Sequence, residues 1–179
     1  MFYYSNSFYI NFFCAFSLSA DIHHDVVVTC DPAVICDDEQ RSKYLETGDM
    51  SHLKADGATV FTIHALSPSQ RENAEIKAGA YTRSELGRML WTESPDDVKE
   101  RARWHHNLND DERSALAEYQ AYISRCYVEM ISEALISIDG QDATIDQIQK
   151  IKPESHRLQT ITELVQHVQR LSLVSDSGK

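Results

Sequence analysis

Between Asn109 and Asp139 the apolar side chains Leu116, Tyr119, Ile123, Cys126, Met130, Ala134 and Ile138 recur every three or four residues. That period lines one face of an α-helix. Asn109-Asp110-Asp111-Glu112 supplies a cap and an acidic first turn, and Asp139-Gly140 is the expected stop. A stripe of this length commits the chain to a long helix whose apolar face must be covered, so the fold has to be assembled largely from helices.

The same grammar starts at Ser67. Ser67-Pro68-Ser69-Gln70 places a cap residue, a proline at the first helical position and a glutamine three residues after the cap, the arrangement of a capping box. Ser94-Pro95-Asp96-Asp97 repeats it with Asp in place of Gln. Leu86, Met89 and Leu90 share a face between these two starts, and Gly79 and Gly87 leave residues 68–91 as one bent helix or two. A short helix is expected over 144–151. The last helix carries Leu158, Ile161, Leu164, Val165, Val168 and Leu171 as its stripe, and His156 and His167, off that stripe, are expected to be at least partly exposed.

Ahead of Ser67 the pattern differs. Asp25-Val26-Val27-Val28-Thr29-Cys30 is short and β-branched and runs into Asp31-Pro32, which predicts a strand or extended arm. Asp37-Asp38-Glu39 then loads a helix N-terminus, with Gly48 as its stop. Phe61, Ile63 and Ala65 alternate with Thr62 and His64 after the turn signal Ala55-Asp56-Gly57, which predicts a second strand, partly covered on both faces. The fold class that follows is α+β, mostly α-helical: a small N-terminal β-hairpin or sheet packed by four or five helices.

Seventeen basic residues against 28 acidic ones leave a net charge of −11, which repels phosphate backbones and anionic headgroups alike. Neither nucleic acid nor a membrane is an expected partner. Residues 21–64 carry nine acids against three bases, so the non-helical part is the most acidic. Cys14, Cys30, Cys36 and Cys126 are too few and too scattered for a disulfide framework in a chain able to bury a core, which points to a reducing compartment.

Five of the six phenylalanines and three of the eight tyrosines fall in the first sixteen positions, and no charge precedes Asp21. Residues 1–20 therefore stand apart, as an extension outside the fold, a secretory signal peptide with 8–18 as its apolar stretch, or a structural arm. The run is too short and too interrupted to span a membrane. Residues 21–174 are read as a single domain and 175–179 as a frayed tail.

Candidate chemistries are few. His23, His24, Cys30, Cys36, Asp37 and Asp38 lie within sixteen residues, but adjacent histidines in an extended segment point to opposite sides, and the cysteine spacing fits no closed zinc site. No metal or cofactor is expected. Cys126 on the long stripe reads as a buried, inert thiol, and His105 and His106 as C-terminal residues of a helix, favoured there by the dipole. Asp139-Gly140-Gln141-Asp142 lacks the ligand alternation of a calcium loop and reads as a helix-ending turn. Asp37-Asp38, Asp96-Asp97 and Asp110-Asp111 read as helix-start carboxylates. Phosphate-loop, dinucleotide, nucleophile-elbow and zincin motifs do not occur, and no catalytic residue is assigned. Trp91, Trp104, Tyr119, Tyr122 and Tyr127 read as core fillers, with a docking groove near the two tryptophans as the alternative.

Three stretches carry a family resemblance: Asp31-Pro32-Ala33-Val34 ahead of an acidic helix, Gly57-Ala58-Thr59-Val60 running into Phe61-Thr62-Ile63-His64-Ala65-Leu66-Ser67, and the closing segment from Ile148 to Ser172. Their order resembles small morphogenesis proteins of tailed bacteriophages and prophages, particularly tail assembly chaperones and minor structural proteins. The resemblance implies a non-enzymatic virion-assembly protein in the host cytoplasm or the virion, bound to another phage structural protein, with self-association left open. A secreted or periplasmic helical binding protein is the alternative if residues 1–20 act as a signal peptide.

Overall fold

The computed structural model describes residues 23–177; residues 1–20, set apart by their composition, lie outside them. The described residues form seven α-helices and one four-stranded antiparallel sheet, an α+β and mostly helical fold. They divide into two compact units, one of residues 23–70 with 130–177 and one of residues 71–129, where the sequence pattern suggested one domain.

The first unit holds the sheet. Strands β1 (His23–Val26), β2 (Phe61–His64), β3 (Leu135–Ile138) and β4 (Gln141–Asp142) pair in that order. Phe61 and Ile63 are buried as the alternation requires, while Leu66 is covered as well. β1 is shorter than the run of β-branched residues implied, because Tyr44 replaces the next ladder partner. Its hydroxyl accepts from the Val27 amide at 2.9 Å and donates to the Val27 carbonyl at 2.8 Å, so Val27 stays buried and satisfied without a neighbouring strand.

Helix α1 (Asp38–Thr47) has a reciprocal capping box between Asp37 and Gln40 and ends at Gly48 in the left-handed region. At φ 73° Gly48 adopts a conformation that other residues enter only with strain, and an added Cβ would also displace the Arg170 guanidinium, 2.0 Å away. Helix α2 (Pro68–Ala78) starts from Ser67, whose amide donates to Gln70.

The long helix, α5 (Asp110–Ala134), stops one turn earlier than its apolar period implied. Leu135-Ile136-Ser137-Ile138 is strand β3, and Asp139-Gly140 is the turn of a hairpin into β4, with φ of 51° and 74°. Two successive positive φ values are what a tight two-residue hairpin demands, and Asp-Gly meets that demand at little cost. The expected helix-ending turn is thus a β-turn, and Ile138 belongs to the sheet. Helix α6 (Ile145–Gln149) follows, then α7 (Glu154–Ser177), which remains helical past Ser175.

On α7 the residues Ile161, Leu164, Val165, Val168 and Leu171 are buried as their spacing required. Leu158 is not: burial along this helix sets in only at Thr160, and Leu158 is half exposed.

The second unit contains most of α2, α3 (Glu85–Glu93), α4 (Val98–Asn107) and most of α5. A turn of 3₁₀ helix at Ala80–Thr82 separates α2 from α3, which settles residues 68–91 as two helices. α4 is not capped by Ser94. Ser94 closes α3, and the Asp97 carboxylate accepts from the amides of Lys99 and Glu100 at 2.9 Å each, since a carboxylate at the N-cap also meets the positive end of the helix. Gly87 is a point of contact: a Cβ there would sit 2.1 Å from the Ala115 carbonyl oxygen of α5.

Candidate functional site

The chemistry of the first unit gathers along one side of α7. His156, Thr160, Glu163, His167 and Arg170 follow one another at three or four residues, a polar stripe beside the apolar one. Glu163 is 1% exposed. Its carboxylate accepts from the Thr29 amide and the Thr29 hydroxyl at 2.6 Å each, from Arg41 at 2.8 Å and from Gln159 at 3.0 Å. A buried carboxylate with a cation and three further donors is a satisfied tie between the arm after β1, α1 and α7.

His167 is fully buried, against the expectation of exposure. Its ring centroid lies 4.9 Å from that of Tyr44, and its Nδ1 lies 3.2 Å from Arg170. Burial, then the Arg170 charge, push its pKa down to about 4. The imidazole is therefore neutral near pH 7, accepting through Nδ1. Burial likewise pushes Tyr44 up to about 12. The periodicity of polar residues on α7 was the available signal for this cluster. It was missed because His and Glu off the apolar stripe default to solvent.

The histidine and cysteine cluster of the N-terminal segment does not assemble. His23 is exposed on β1, Asp37 caps α1, and the Cys30 thiol donates weakly toward the His156 carbonyl at 3.7 Å and lies 3.4 Å from the Thr160 hydroxyl. Burial raises the pKa of the thiol, which disfavours the thiolate. No group of three His, Cys, Asp or Glu among the described residues is placed to hold a metal ion.

In the second unit, Cys126 is buried and its thiol is pushed up to about 11, chiefly by burial, the inert state expected. His105 and His106 sit in the last turn of α4 and are exposed. Leu90, Leu108 and Leu116 form a small core on which Trp104 packs. Trp91, expected as core, is 44% exposed, with its ring tilted toward Tyr119 at 6.4 Å. The Tyr119 and Tyr122 rings meet tilted at 41° with centroids 5.6 Å apart, and Arg83 lies over the Tyr122 ring.

The exposed large apolar side chains are concentrated here. Six of the eight among the described residues fall in 76–98: Ile76, Tyr81, Leu86, Met89, Trp91 and Val98, with Tyr81 at 84% and Val98 at 76%. Scattered exposed apolar residues are ordinary on a protein surface, whereas contiguous patches of them mark contact regions. Trp, Tyr and Met are residues that interfaces favour.

No helix among the described residues is long and apolar enough to cross a membrane. No protein-family model matches the chain, and no curated protein or solved structure proved significantly similar to it.

Proposed function

We propose that this chain is a non-enzymatic assembly protein of a tailed-phage particle, acting in the host cytoplasm or the virion as a tail assembly chaperone or adaptor for another structural protein. The observation that carries the binding role is the run of exposed apolar side chains between Ile76 and Val98. Large apolar groups left in water gain about 25 cal/mol per Å² when a partner covers them. The partner's chemistry follows from charge: at −11 this chain attracts a basic protein and repels an acidic one. The phage context rests on the resemblance of the three stretches around Asp31, Gly57 and Ile148.

The test is binding to the structural proteins encoded beside its gene, each purified and titrated individually. One basic member of that set should bind, and Met89→Asp with Trp91→Ser should weaken it about tenfold or more, since exposed positions leave the fold intact. Absence of binding to every neighbour, or equal binding by the double variant, would refute the reading.

A further inference from the structure

The first unit carries a pocket of its own. Strands β2 and β3, the arm after β1, and helices α6 and α7 line an open pocket of about 360 Å³, within the size range of small-molecule sites. Val28, Phe61, Ile148 and Ile151 give it an apolar wall.

Most of the polar side chains around this wall are already satisfied by the protein. Both oxygens of Asp31 accept backbone amides, from Ala33 at 2.8 Å and from Thr59 at 2.9 Å. Gln147 accepts from the Thr144 amide at 2.8 Å, and Cys30 and Thr160 engage each other. Two lining side chains are left with no partner among the described residues: the Lys152 ammonium and the His156 imidazole. Lys152 precedes α7 and His156 lies in its first turn, where the helix dipole adds positive potential. The cavity therefore offers an apolar body and one corner built for a single negative charge.

We propose that this cavity binds a small monocarboxylate with an apolar body, its carboxylate held by Lys152 and His156 and its hydrocarbon part against Phe61, Ile148 and Ile151. The net charge of −11 and the Asp31 carboxylate in the wall select against polyanions such as nucleotides. A monoanion meets less of that repulsion than a polyanion does and draws most of its affinity from the apolar wall.

Phenylacetate is the probe, titrated into the full chain and followed by amide chemical shifts in NMR, with phenylacetamide and acetate as controls. Saturable binding is expected, with shifts clustered at residues 148–160. Phenylacetamide lacks the charge and acetate the apolar body, so each should bind about tenfold more weakly or worse. Lys152→Gln, at an exposed position, should weaken phenylacetate about two- to fivefold, the range of a solvent-facing ion pair, and Ile151→Trp should abolish binding by filling the cavity. The proposal fails if phenylacetate does not saturate by about 10 mM, if phenylacetamide binds equally well, or if Lys152→Gln leaves its affinity unchanged.

Discussion

The Glu163 carboxylate accepts both the backbone amide and the hydroxyl of Thr29, each at 2.6 Å, across 134 residues of sequence. One side chain of α7 thereby ends the extended arm that leaves the sheet at β1. Arg41 reaches the same carboxylate from α1 but is 40% exposed, so the ion pair is partly screened and the Thr29 bonds carry more of the tie.

Removing that carboxylate should therefore be costly. Glu163→Ala removes the acceptor of the Thr29 amide and hydroxyl; an unpaired buried group costs about 1–3 kcal/mol, and Thr29 is only part-buried, so each falls at the low end of that range. A loss of roughly 2 kcal/mol in urea unfolding is expected, a sizeable share of a domain stability of about 5–15 kcal/mol. Glu163→Gln keeps one acceptor oxygen but turns an amide donor toward Thr29 or Arg41, and should fall between the variant and the parent. Equal stability of Glu163→Ala and the parent would show that the arm is not held by this residue.

The buried imidazole of His167 makes a pH prediction with a definite sign. The folded pKa is lowered to about 4 from the usual histidine value of 6.5. Above about pH 6.5 the ring is neutral in both states and the full stability is present. As pH falls toward 4 the unfolded chain takes up a proton that the folded chain refuses, so stability falls across that window and this contribution levels off below it. The shift corresponds to at most roughly 3 kcal/mol at 1.36 kcal/mol per pKa unit. His167→Phe should flatten the decline between pH 6.5 and 4 relative to the parent. Carboxylates with lowered pKa, such as Asp31, lose their contribution at lower pH and remain in the variant, so the difference between the two profiles isolates the histidine.

Local chemistry explains which parts of this fold could be read directly from sequence. The capping box read at Ser67/Gln70 forms, and the helix starts read at Asp37 and Asn109 close with the same reciprocal bonds, to Gln40 and Glu112. These need no knowledge of the rest of the chain. The hairpin at Asp139-Gly140 was also local, yet the helical spacing of Ala134 and Ile138 imitated a continuing stripe, and two β-branched residues in 135–138 favoured the strand instead. The Glu163 and His167 cluster depends on partners from α1 and from the arm after β1, more than a hundred residues away. Its composition of Glu, His and Arg gives no hint of burial by itself. The exposed run over 76–98 was half legible: the two tryptophans suggested a groove, but Leu86 and Met89 share their helical face with buried Leu90, and periodicity alone cannot tell a covered face from an open one.

The phase of α5 supplies the last prediction. Along the part of α5 in the second unit the buried residues are Ala115, Leu116, Tyr119, Tyr122 and Cys126, while Ile123, an equal member of the stripe by spacing, is only half-buried. Spacing of three or four defines a face some 100° wide, and a residue at its margin contributes less than one at its centre. Leu116 touches Leu90 and Leu108 in the small core beneath Trp104, so Leu116→Ala should cost about 2–5 kcal/mol, the transfer loss plus the cavity left behind. Ile123→Ala should cost about 1 kcal/mol, because a half-exposed side chain forfeits only part of its apolar burial and leaves water, not a void, in its place. Urea unfolding of both variants beside the parent measures the difference. Equal midpoint shifts would mean that the centre of the helix face runs through Ile123, and that the stripe read from spacing, not the observed burial, describes the core.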